Sequence, residues 1–431
     1  MGTCSMDKPN IILIVADTMR RDAIGVYNSN VNTPNIDRLA ADSMVYNNAI
    51  SPSPWTVPSH ASMFTGKYAI EHKIHETFSV KGFSLMGKMN GMKYITLAEI
   101  LAANGYNTIA YSSNVNMVPG SGFDRGFNQF SYIKNYYKLI IEDELELKYG
   151  KRKAIKKYVE KYGYLNLINL YRLYKLSYNH YNGYPTDKGG YEIINNIKNM
   201  STNTPFFMFL NFMEMHDPYF EKYTNEPDGL DNLMQNRKNN IKSIHKIKEL
   251  YYKQAHYLDN YIGELIKFLK DNNIYDNTAI IFASDHGQEI SEDYYGHGIF
   301  LSDNLIRVPL IVKYNGHGIC KKYVSTIKIM DIIKNIAFNE KNNIFDESIF
   351  SEVYGINVDS ALNYKERKEL RRTCIYKNNY KLTVNSDKQI EEFTMDGKLL
   401  NIDGSKIVVN ELLNDISIFN GSSDFINDFQ V

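Results

Sequence analysis

The chain has 431 residues, which is enough for one large domain and a smaller one. Its 49 basic and 49 acidic side chains give a formal net charge of zero, so no charge of one sign covers the surface to attract nucleic acid. Hydrophobic residues make up 43% and charged residues 23%, which is typical of a soluble globular protein and excludes a wholly disordered chain.

The residue pattern excludes two further classes of protein. The three cysteines, Cys4, Cys320 and Cys374, are odd in number and far apart, which argues against a disulfide framework or a cysteine metal site. No apolar run approaches the roughly 20 residues of a membrane span. The N-terminal run at 11–16 is too short for a secretory signal. We therefore expect a cytoplasmic protein, or a soluble domain of a longer one.

Strand and helix patterns alternate along the first three quarters of the chain. Continuous apolar runs predict buried strands, and apolar residues at three- and four-residue steps predict amphipathic helices. In chain order the predicted elements are a strand at 11–16, a helix at 96–105, strands at 107–113 and 205–212, a helix at 250–269, and strands at 278–284 and 308–314. This alternation predicts an α/β fold in which a mainly parallel central sheet lies between helices.

Residues 134–200 depart from that alternation. They are rich in Lys, Tyr and Leu at helical spacing. We interpret them as a helical insertion, which either forms a lid with a role in substrate binding or is a plain helical cover.

The C-terminal part of the chain has a different pattern. Segments 371–385 and 389–401 alternate around turns at Asn378-Asn379 and Asp396-Gly397, which predicts antiparallel strands. The predicted domains are therefore a large α/β domain that carries the chemistry, over 1–340, and a small C-terminal α+β subdomain, over 341–431.

Polar clusters come directly after three predicted strands. They are Asp17, the pair His216-Asp217, and the pair Asp285-His286. Ligands bind beyond the carboxyl ends of strands in open parallel sheets, so these clusters can converge on one site. A single Asp after a strand can equally be the N-cap of the next helix. Three clusters, two of which contain His, favour a common site.

The segment at 51–66, SPSPWTVPSHASMFTG, predicts a short helix that begins near Pro58 and ends at Gly66. Thr56 then lies just before the helix N-terminus, where backbone N–H groups and the helix dipole favour an anion. Its hydroxyl is either a helix cap, which is the usual role of Thr there, or a nucleophile facing a phosphoryl or sulfuryl group. A bound divalent metal would lower the pKa of that hydroxyl and make it an attacking alkoxide.

The acidic and imidazole side chains suit such a metal. Asp17, Asp285 and His286 supply two carboxylates and one imidazole, a set that favours Mn or Zn, with Ca or Mg as alternatives. His297 lies between two glycines at 296–298, where the chain can approach a ligand closely. The alternative for His297 is an ordinary turn histidine. We expect one metal ion.

Four ordered motifs resemble the alkaline phosphatase superfamily in its sulfatase-like branch. The first is T-V-P-S-H-A-S-M-F-T-G (56–66), which is similar to the family pattern C-x-P-S-R-x-x-L-x-T-G. The others are N-I-I-L-I-V-A-D-T-M-R-R-D (10–22), S-D-H-G (284–287) and G-H-G (296–298). The resemblance implies this superfamily's α/β fold for the large domain.

The resemblance also implies roles for individual residues. The implied metal ligands are Asp17, Thr56, Asp285 and His286, with Thr56 also the nucleophile. The implied substrate contacts are His216 and His297, which would stabilise charge or protonate the leaving oxygen, together with His60 and Asn114.

The sequence departs from the sulfatase pattern in four places. Sulfatases carry Cys or Ser at the position of Thr56 and convert it to formylglycine, an aldehyde that Thr cannot give. The Arg of that motif is His60, the second Asp of the first strand is Thr18, and the expected Lys-x-His is Ser113-Asn114-Val115. A Thr nucleophile with an Asp-His pair is more similar to phosphoglycerol transferases and nucleotide phosphodiesterases.

We therefore expect a metal-dependent hydrolase or transferase that acts on phosphate esters through Thr56 and a phospho-threonine intermediate. One alternative is a sulfatase that works without formylglycine. The other is a non-catalytic member that binds an anionic sugar or a protein. The expected substrate is a small-molecule, glycan-linked or lipid-linked phosphate or sulfate ester, and not a nucleic acid.

Overall fold

The computed structural model describes most of the chain outside the predicted insertion. The described residues are 8–75, 89–133, 187–200, 205–217, 219, 241–292, 294–314, 316–356 and 369–421. Of the predicted helical insertion at 134–200, residues 134–186 lie outside this part. Within it, the chain forms a large mixed sheet flanked by helices and a second, antiparallel sheet near the C-terminus. The predicted fold class is therefore confirmed.

The bounds of the elements are as follows. The strands are β1 (Asn10–Ala16), β2 (Met44–Ile50), β3 (Asn107–Ser112), β4 (Gln129–Tyr132), β5 (Phe206–Phe212), β6 (Thr278–Ala283), β7 (Glu289–Ile290), β8 (Tyr295–Gly296), β9 (Arg307–Val308), β10 (Leu310–Lys313), β11 (Gly318–Ser325), β12 (Ile349–Ile356), β13 (Glu369–Lys377), β14 (Tyr380–Asn385), β15 (Ile390–Met395) and β16 (Lys398–Leu399). The α-helices are α1 (Pro34–Ala41), α2 (Thr56–Thr65), α3 (Ala69–His72), α4 (Leu97–Ala103), α5 (Gly190–Lys198), α6 (Ile241–Asp271), α7 (Asp303–Ile306), α8 (Ile329–Phe338) and α9 (Lys406–Asn420). Short 3₁₀ turns occupy Arg21–Ala23, Met89–Gly91, Thr326–Lys328 and Asp403–Ser405.

The central sheet has the strand order β11-β2-β10-β6-β1-β5-β3-β4, with β9 pairing β2. Neighbouring strands from β6 through β4 are parallel. The predicted strand at 308–314 is split into β9 and β10, and β10 runs antiparallel between β6 and β2. The sheet is therefore mainly parallel, as predicted, with one reversed position.

The continuous apolar run of β1 is buried on both faces of the sheet. Ile12 and Ile14 pack into the core that includes α1, α5 and α6, whereas Leu13 and Val15 pack into the core that includes α2, α4 and α8. Successive side chains of a strand point to opposite faces, so a strand without polar alternation needs a helical layer on each side. The predicted helix at 250–269 lies within α6, which begins earlier, at Ile241, and ends at Asp271.

The parallel strands bring their carboxyl ends to one edge of the sheet. The segments after β1, β3, β5 and β6 meet there, because these four strands are neighbours with the same direction. Strand β2 also ends at this edge, because it runs opposite to the reversed β10, and it leads into α2. The polar clusters predicted from the sequence and the start of α2 therefore lie together at this edge.

The C-terminal sheet is built from hairpins, in the order β12-β13-β14-β15-β16, and α9 packs against it. Asn378 and Asn379 have φ of 49° and 68°, and Asp396 and Gly397 have φ of 50° and 77°. Two consecutive left-handed residues form the tight turn that suits a two-residue hairpin. Both predicted turns are thus confirmed, and the division of the chain at residue 340 stays a prediction.

Among the described residues, no helix combines the length and the apolar character needed to cross a bilayer.

Candidate active site

The eight residues predicted from the sequence lie in one contiguous cluster at the carboxyl edge of the central sheet. Asp17 follows β1, Asn114 follows β3, and His216 follows β5. Asp285 and His286 follow β6. The remaining three are Thr56 and His60 on α2, and His297 directly after β8.

Asp17, Asp285 and His286 form a possible metal-binding group. Their ligating atoms all lie within 4.8 Å of one another, and all three side chains are fully buried. Asp17 Oδ2 accepts a 2.6 Å hydrogen bond from Asn114 Nδ2, and Asp285 Oδ1 accepts the backbone N–H of His286 at 2.8 Å. The other oxygens, Asp17 Oδ1 and Asp285 Oδ2, have no hydrogen-bond partner among the described residues. Two unsatisfied, buried carboxylate oxygens beside an imidazole are a donor set that fits a divalent cation.

The electrostatics of this group are unfavourable without a positive charge. Burial raises the pKa of Asp17, and the nearby Asp285 carboxylate raises it further. Burial likewise raises the pKa of Asp285. Burial lowers the pKa of His286 to about 4, so this ring is neutral near pH 7. Its Nδ1–H donates to Gly287 O at 2.8 Å, which leaves the Nε2 lone pair facing the site.

The turn after β1 is strained and firmly held. Thr18 has φ of 59°, a left-handed conformation that is unusual for a β-branched residue. Its N–H donates to Asp285 Oδ1 at 3.1 Å, and its carbonyl accepts from the Tyr251 hydroxyl at 2.9 Å. Met19 N donates to Ser284 Oγ at 3.0 Å. Strain of this kind costs about 1–3 kcal/mol and persists where surrounding contacts determine the backbone, as they do next to Asp17.

Thr56 is the first residue of α2, with Trp55 before it. Thr56 was predicted to lie just outside the helix, but the helix begins two residues before Pro58. The Thr56 hydroxyl lies 3.3 Å from His286 Nε2 and is almost completely buried. The side chain therefore points into the carboxylate–imidazole group from the positive end of the helix dipole.

The start of α2 is joined to the segment after β6 by two serines. Ser59 Oγ donates to the Asp285 carbonyl at 2.7 Å, and Ser51 Oγ donates to the same oxygen. The two hydroxyl oxygens lie 3.2 Å apart. Neither serine was predicted as a site residue, although both occur in the 51–66 motif. They fix the distance between Thr56 and Asp285.

His60 and Asn114, predicted to contact substrate, are hydrogen-bonded to other groups of the site. His60 Nδ1–H donates to Thr56 O at 2.8 Å, and Asn211 Nδ2 lies 3.4 Å from His60 Nε2. Asn114 uses its amide nitrogen on Asp17 and its amide oxygen on the Asn116 N–H at 2.8 Å. These contacts orient Thr56 and Asp17, and contact of His60 and Asn114 with substrate stays a prediction.

A second group, His216, Asp217 and His297, lies beside the first, and its ligating atoms are also within 4.8 Å of one another. The rings of His297 and His286 have centroids 4.6 Å apart, and those of His216 and His297 are 5.2 Å apart. Asp217 was noted after its strand but not chosen as a site residue. The His-Asp pair directly after a buried strand is the sequence signal that could have identified it.

The two histidines of this group differ in charge near pH 7, because His216 is protonated and His297 is neutral. Burial lowers the pKa of His216, but the Asp217 carboxylate outweighs it and raises that pKa to about 9. His216 Nδ1–H donates to Asp217 O at 2.8 Å and lies 3.0 Å from its Oδ1. Burial lowers the pKa of His297 well below its usual value, and the proximity of His286 and His216 disfavours its protonation further. His297 Nδ1–H bonds to Gln288 Oε1 at 2.7 Å. The site thus holds an imidazolium and a neutral imidazole side by side.

Gly298 lets the His297 loop approach Trp55. A Cβ at Gly298, whose φ is +88°, would lie 2.5 Å from the indole ring. The Trp55 and His297 rings have centroids 5.6 Å apart. The glycines beside His297 predicted that the chain approaches a ligand closely. In the structure, the close approach is to Trp55, the residue before Thr56.

Comparison with known proteins gives the family. The model of the Sulfatase family matches residues 9–337. The chain belongs to this family. It is therefore a hydrolase of the sulfatase branch of the alkaline phosphatase superfamily, whose members bind a divalent metal ion.

Individual relatives are distant. An arylsulfatase of Clostridium perfringens is 25% identical over 381 residues, which cover 79% of this chain and 72% of that protein. An ulvan-active sulfatase of Formosa agariphila is 27% identical over 337 residues, 72% of this chain and 57% of that protein. The phosphonate monoester hydrolase of Agrobacterium radiobacter has the same fold, with a TM-score of 0.62 and 16% identity over 96% of each chain.

Proposed function

We propose that the protein hydrolyses or transfers phosphate esters, with Thr56 as the nucleophile and a phospho-threonine intermediate. The observation that carries this proposal is the position of the Thr56 hydroxyl, 3.3 Å from the neutral His286 ring at the start of a helix. Two buried carboxylates beside it, Asp17 and Asp285, each keep one oxygen without a hydrogen-bond partner among the described residues.

Asp17, Asp285 and His286, together with Thr56, would hold one divalent cation. Mn or Zn suits a set that contains an imidazole, with Ca or Mg as alternatives. When bound, the ion would lower the pKa of the Thr56 hydroxyl and neutralise charge on the phosphoryl oxygens.

In the first step, Thr56 Oγ1 attacks phosphorus in line with the leaving group. A bond from Thr56 Oγ1 to phosphorus forms, the bond from phosphorus to the ester oxygen breaks, and the hydroxyl proton of Thr56 passes to solvent. His216 gives its proton to the departing alkoxide, because Asp217 keeps this imidazole charged near pH 7. The neutral ring of His297 would contact the substrate beside His216.

In the second step, water or a second alcohol attacks the same phosphorus. The bond to Thr56 breaks, and Thr56 recovers a proton from solvent. His216, now neutral, takes the proton of the attacking hydroxyl and is recharged for the next turnover. With water as the acceptor, a phosphate monoester gives inorganic phosphate and a diester gives a monoester. With an alcohol as the acceptor, the product is a new phosphate ester.

Sulfate-ester hydrolysis is the second candidate, because the curated relatives above are named as sulfatases. Oxidation of the secondary alcohol of Thr56 gives a ketone and not the aldehyde of formylglycine. Thr56 also has a single hydroxyl, so a sulfated Thr56 has no second oxygen on the same carbon to expel the anion. Release would need attack by water at sulfur, as proposed above for phosphorus.

A substrate panel with matched variants tests the proposal. Nitrophenyl phosphate, bis-nitrophenyl phosphate, a phenylphosphonate monoester and nitrophenyl sulfate are compared at equal metal concentration. We expect phosphorus esters to be turned over faster than the sulfate. Thr56→Val keeps the side-chain shape without the hydroxyl and should abolish turnover, whereas Thr56→Ser should retain it. Equal turnover by Thr56→Val and the wild type would exclude Thr56 as the nucleophile.

A further inference from the structure

A buried lysine packs against the turn that carries His216. Lys188, in the Asp-Lys-Gly-Gly segment at 187–190 before α5, is 1% exposed. Its Nζ donates to the Glu214 carbonyl at 3.0 Å and to the His216 carbonyl. A lysine is rarely buried to this extent unless its charge has a specific use. Nothing in the catalytic steps above employs it.

The contact is reciprocal. The Glu214 side chain is also buried, and its Oε1 accepts the backbone N–H of Gly190 at 2.9 Å and of Lys188 at 3.3 Å. The lysine side chain thus binds the backbone of 214–216, while the glutamate side chain binds the backbone of 188–190. We call this pair the Lys188–Glu214 clamp.

The clamp depends on two glycines. A Cβ at Gly189, whose φ is +116°, would lie 2.3 Å from Ser113 Oγ. A Cβ at Gly190 would lie 2.5 Å from the Tyr261 ring and 2.7 Å from Glu214 Oε1. At these two positions the backbone approaches its neighbours more closely than a residue with a side chain would allow. This close approach fixes the position of the Lys188 backbone next to the turn at 213–216.

The clamp acts on the backbone of the residue whose imidazole faces the site. His216 N donates to Met213 O at 3.0 Å, so residues 213–216 form a tight turn. Asp217 orients the imidazole of His216 through a bond to Nδ1 of that ring, and Lys188 holds the backbone carbonyl of His216. A displacement of about 1 Å of a catalytic group can cost about 10²-fold in rate.

We propose that Lys188 is a positioning residue for His216, acting through the Lys188–Glu214 clamp. The effect of the clamp on catalysis rests on the proposed function, in which His216 is the proton donor. The positioning of His216 by the clamp does not. Lys188 itself touches no reacting atom, because its ammonium group is directed at two backbone carbonyls.

The kinetic test is a double-mutant cycle. Lys188→Met keeps the length of the side chain without the charge, and should lower kcat/KM for alkyl phosphate esters about 10- to 100-fold. The loss should be smaller for nitrophenyl esters, whose leaving oxygen needs less help from a proton donor. In a His216→Ala background, Lys188→Met should cause no further loss. Lys198→Met, which removes an exposed lysine of the same segment paired with Glu264, is the matched control and should change nothing.

A second measurement does not depend on activity. In ¹H–¹³C spectra of the histidine rings, the His216 signal should shift in Lys188→Met and stay unchanged in Lys198→Met. If Lys188→Met does not fold, Lys188→Gln, which keeps a donor amide, should give smaller changes in the same direction. An unchanged His216 signal, or equal losses with and without His216, would overturn the proposal. A shifted signal with no effect of His216→Ala on turnover would keep the clamp and reject the catalytic role of His216.

Discussion

Buried charge is compensated differently in two regions of the molecule. One is the carboxyl edge of the central sheet with its candidate active site, which we call the catalytic edge, and the other is the C-terminal sheet. In the C-terminal sheet, Lys381 is almost fully buried, and its Nζ lies 2.9 Å from Asp303 Oδ1 and 2.6 Å from Glu392 Oε2. At the catalytic edge, Asp17 and Asp285 are buried side by side, and each keeps one oxygen without a hydrogen-bond partner among the described residues.

We infer from this difference that the C-terminal sheet is stabilised within the chain, whereas the catalytic edge is completed by a ligand. A buried cation between two carboxylates is satisfied within the protein, whereas two neighbouring carboxylates oppose folding until a cation joins them. Stabilisation of the C-terminal sheet is therefore internal to the chain. Stabilisation of the catalytic edge is expected to depend on a ligand.

The largest expected effect follows from removing one carboxylate of the catalytic edge. Asp285→Asn keeps an oxygen that can accept the backbone N–H of His286, but it removes the negative charge. We expect kcat/KM to fall by about 10²–10³-fold or more. Without metal, the variant should be at least as stable as the wild type, because burial of the Asp285 charge is unfavourable.

Metal-dependent unfolding checks that prediction. A ligand at 100 times its Kd stabilises the folded state by about 2.7 kcal/mol. Metal should raise the Tm of the wild type and leave that of Asp285→Asn almost unchanged. Asp271→Asn, an exposed carboxylate paired with Lys267, is the matched control and should respond like the wild type. An equal metal response in all three proteins would place the metal elsewhere.

The second prediction concerns the buried ion pairs of the C-terminal sheet. Lys381→Met should lower the free energy of unfolding by about 1–2 kcal/mol, because two carboxylates that are about a third exposed lose a buried partner. Metal affinity and kcat of the folded fraction should stay unchanged. Lys398→Met, on the exposed strand β16 of the same sheet, should have little effect on stability. A large loss of kcat in Lys381→Met would show that the two regions are coupled.

The third prediction concerns pH. Asp217 holds the pKa of His216 at about 9, so the imidazolium is lost as the pH rises through that value. We expect kcat/KM for esters with poor leaving groups to fall above about pH 9. Asp217→Asn should lower the pKa of His216 by about 1–2 units and move this alkaline limb to lower pH. An alkaline limb at the same pH in both proteins would argue against His216 as the acid.

The two regions also differ in what their sequences predict. The hairpins of the C-terminal sheet are local: Asn378-Asn379 and Asp396-Gly397 supply the left-handed residues that the turns require. The buried strands β1, β5 and β6 were predicted from continuous apolar runs, because both faces of the central sheet are covered. The antiparallel direction of β10 was not predictable, since an apolar run carries no information about strand direction.

The site was predictable as a set of residues but not as a network. Asp17, Thr56, Asp285 and His286 were found because each follows a strand or starts a helix. The positioning contacts of His60 and Asn114 could not be read from the sequence, because their partners lie on other segments. Lys188 gave no periodic or motif signal, and its use depends on the fold that brings residues 187–190 to the turn of His216.

The most direct test of the central claim is to trap the covalent intermediate. The enzyme with its metal is mixed with a phosphate monoester, quenched in acid within the first turnover and digested, and the mass of the peptide that contains residue 56 is measured. We expect one added phosphoryl group on Thr56, formed and lost at rates consistent with turnover and absent from Thr56→Val. Turnover of the ester with no phosphoryl group on this peptide at any time would contradict Thr56 as the attacking residue.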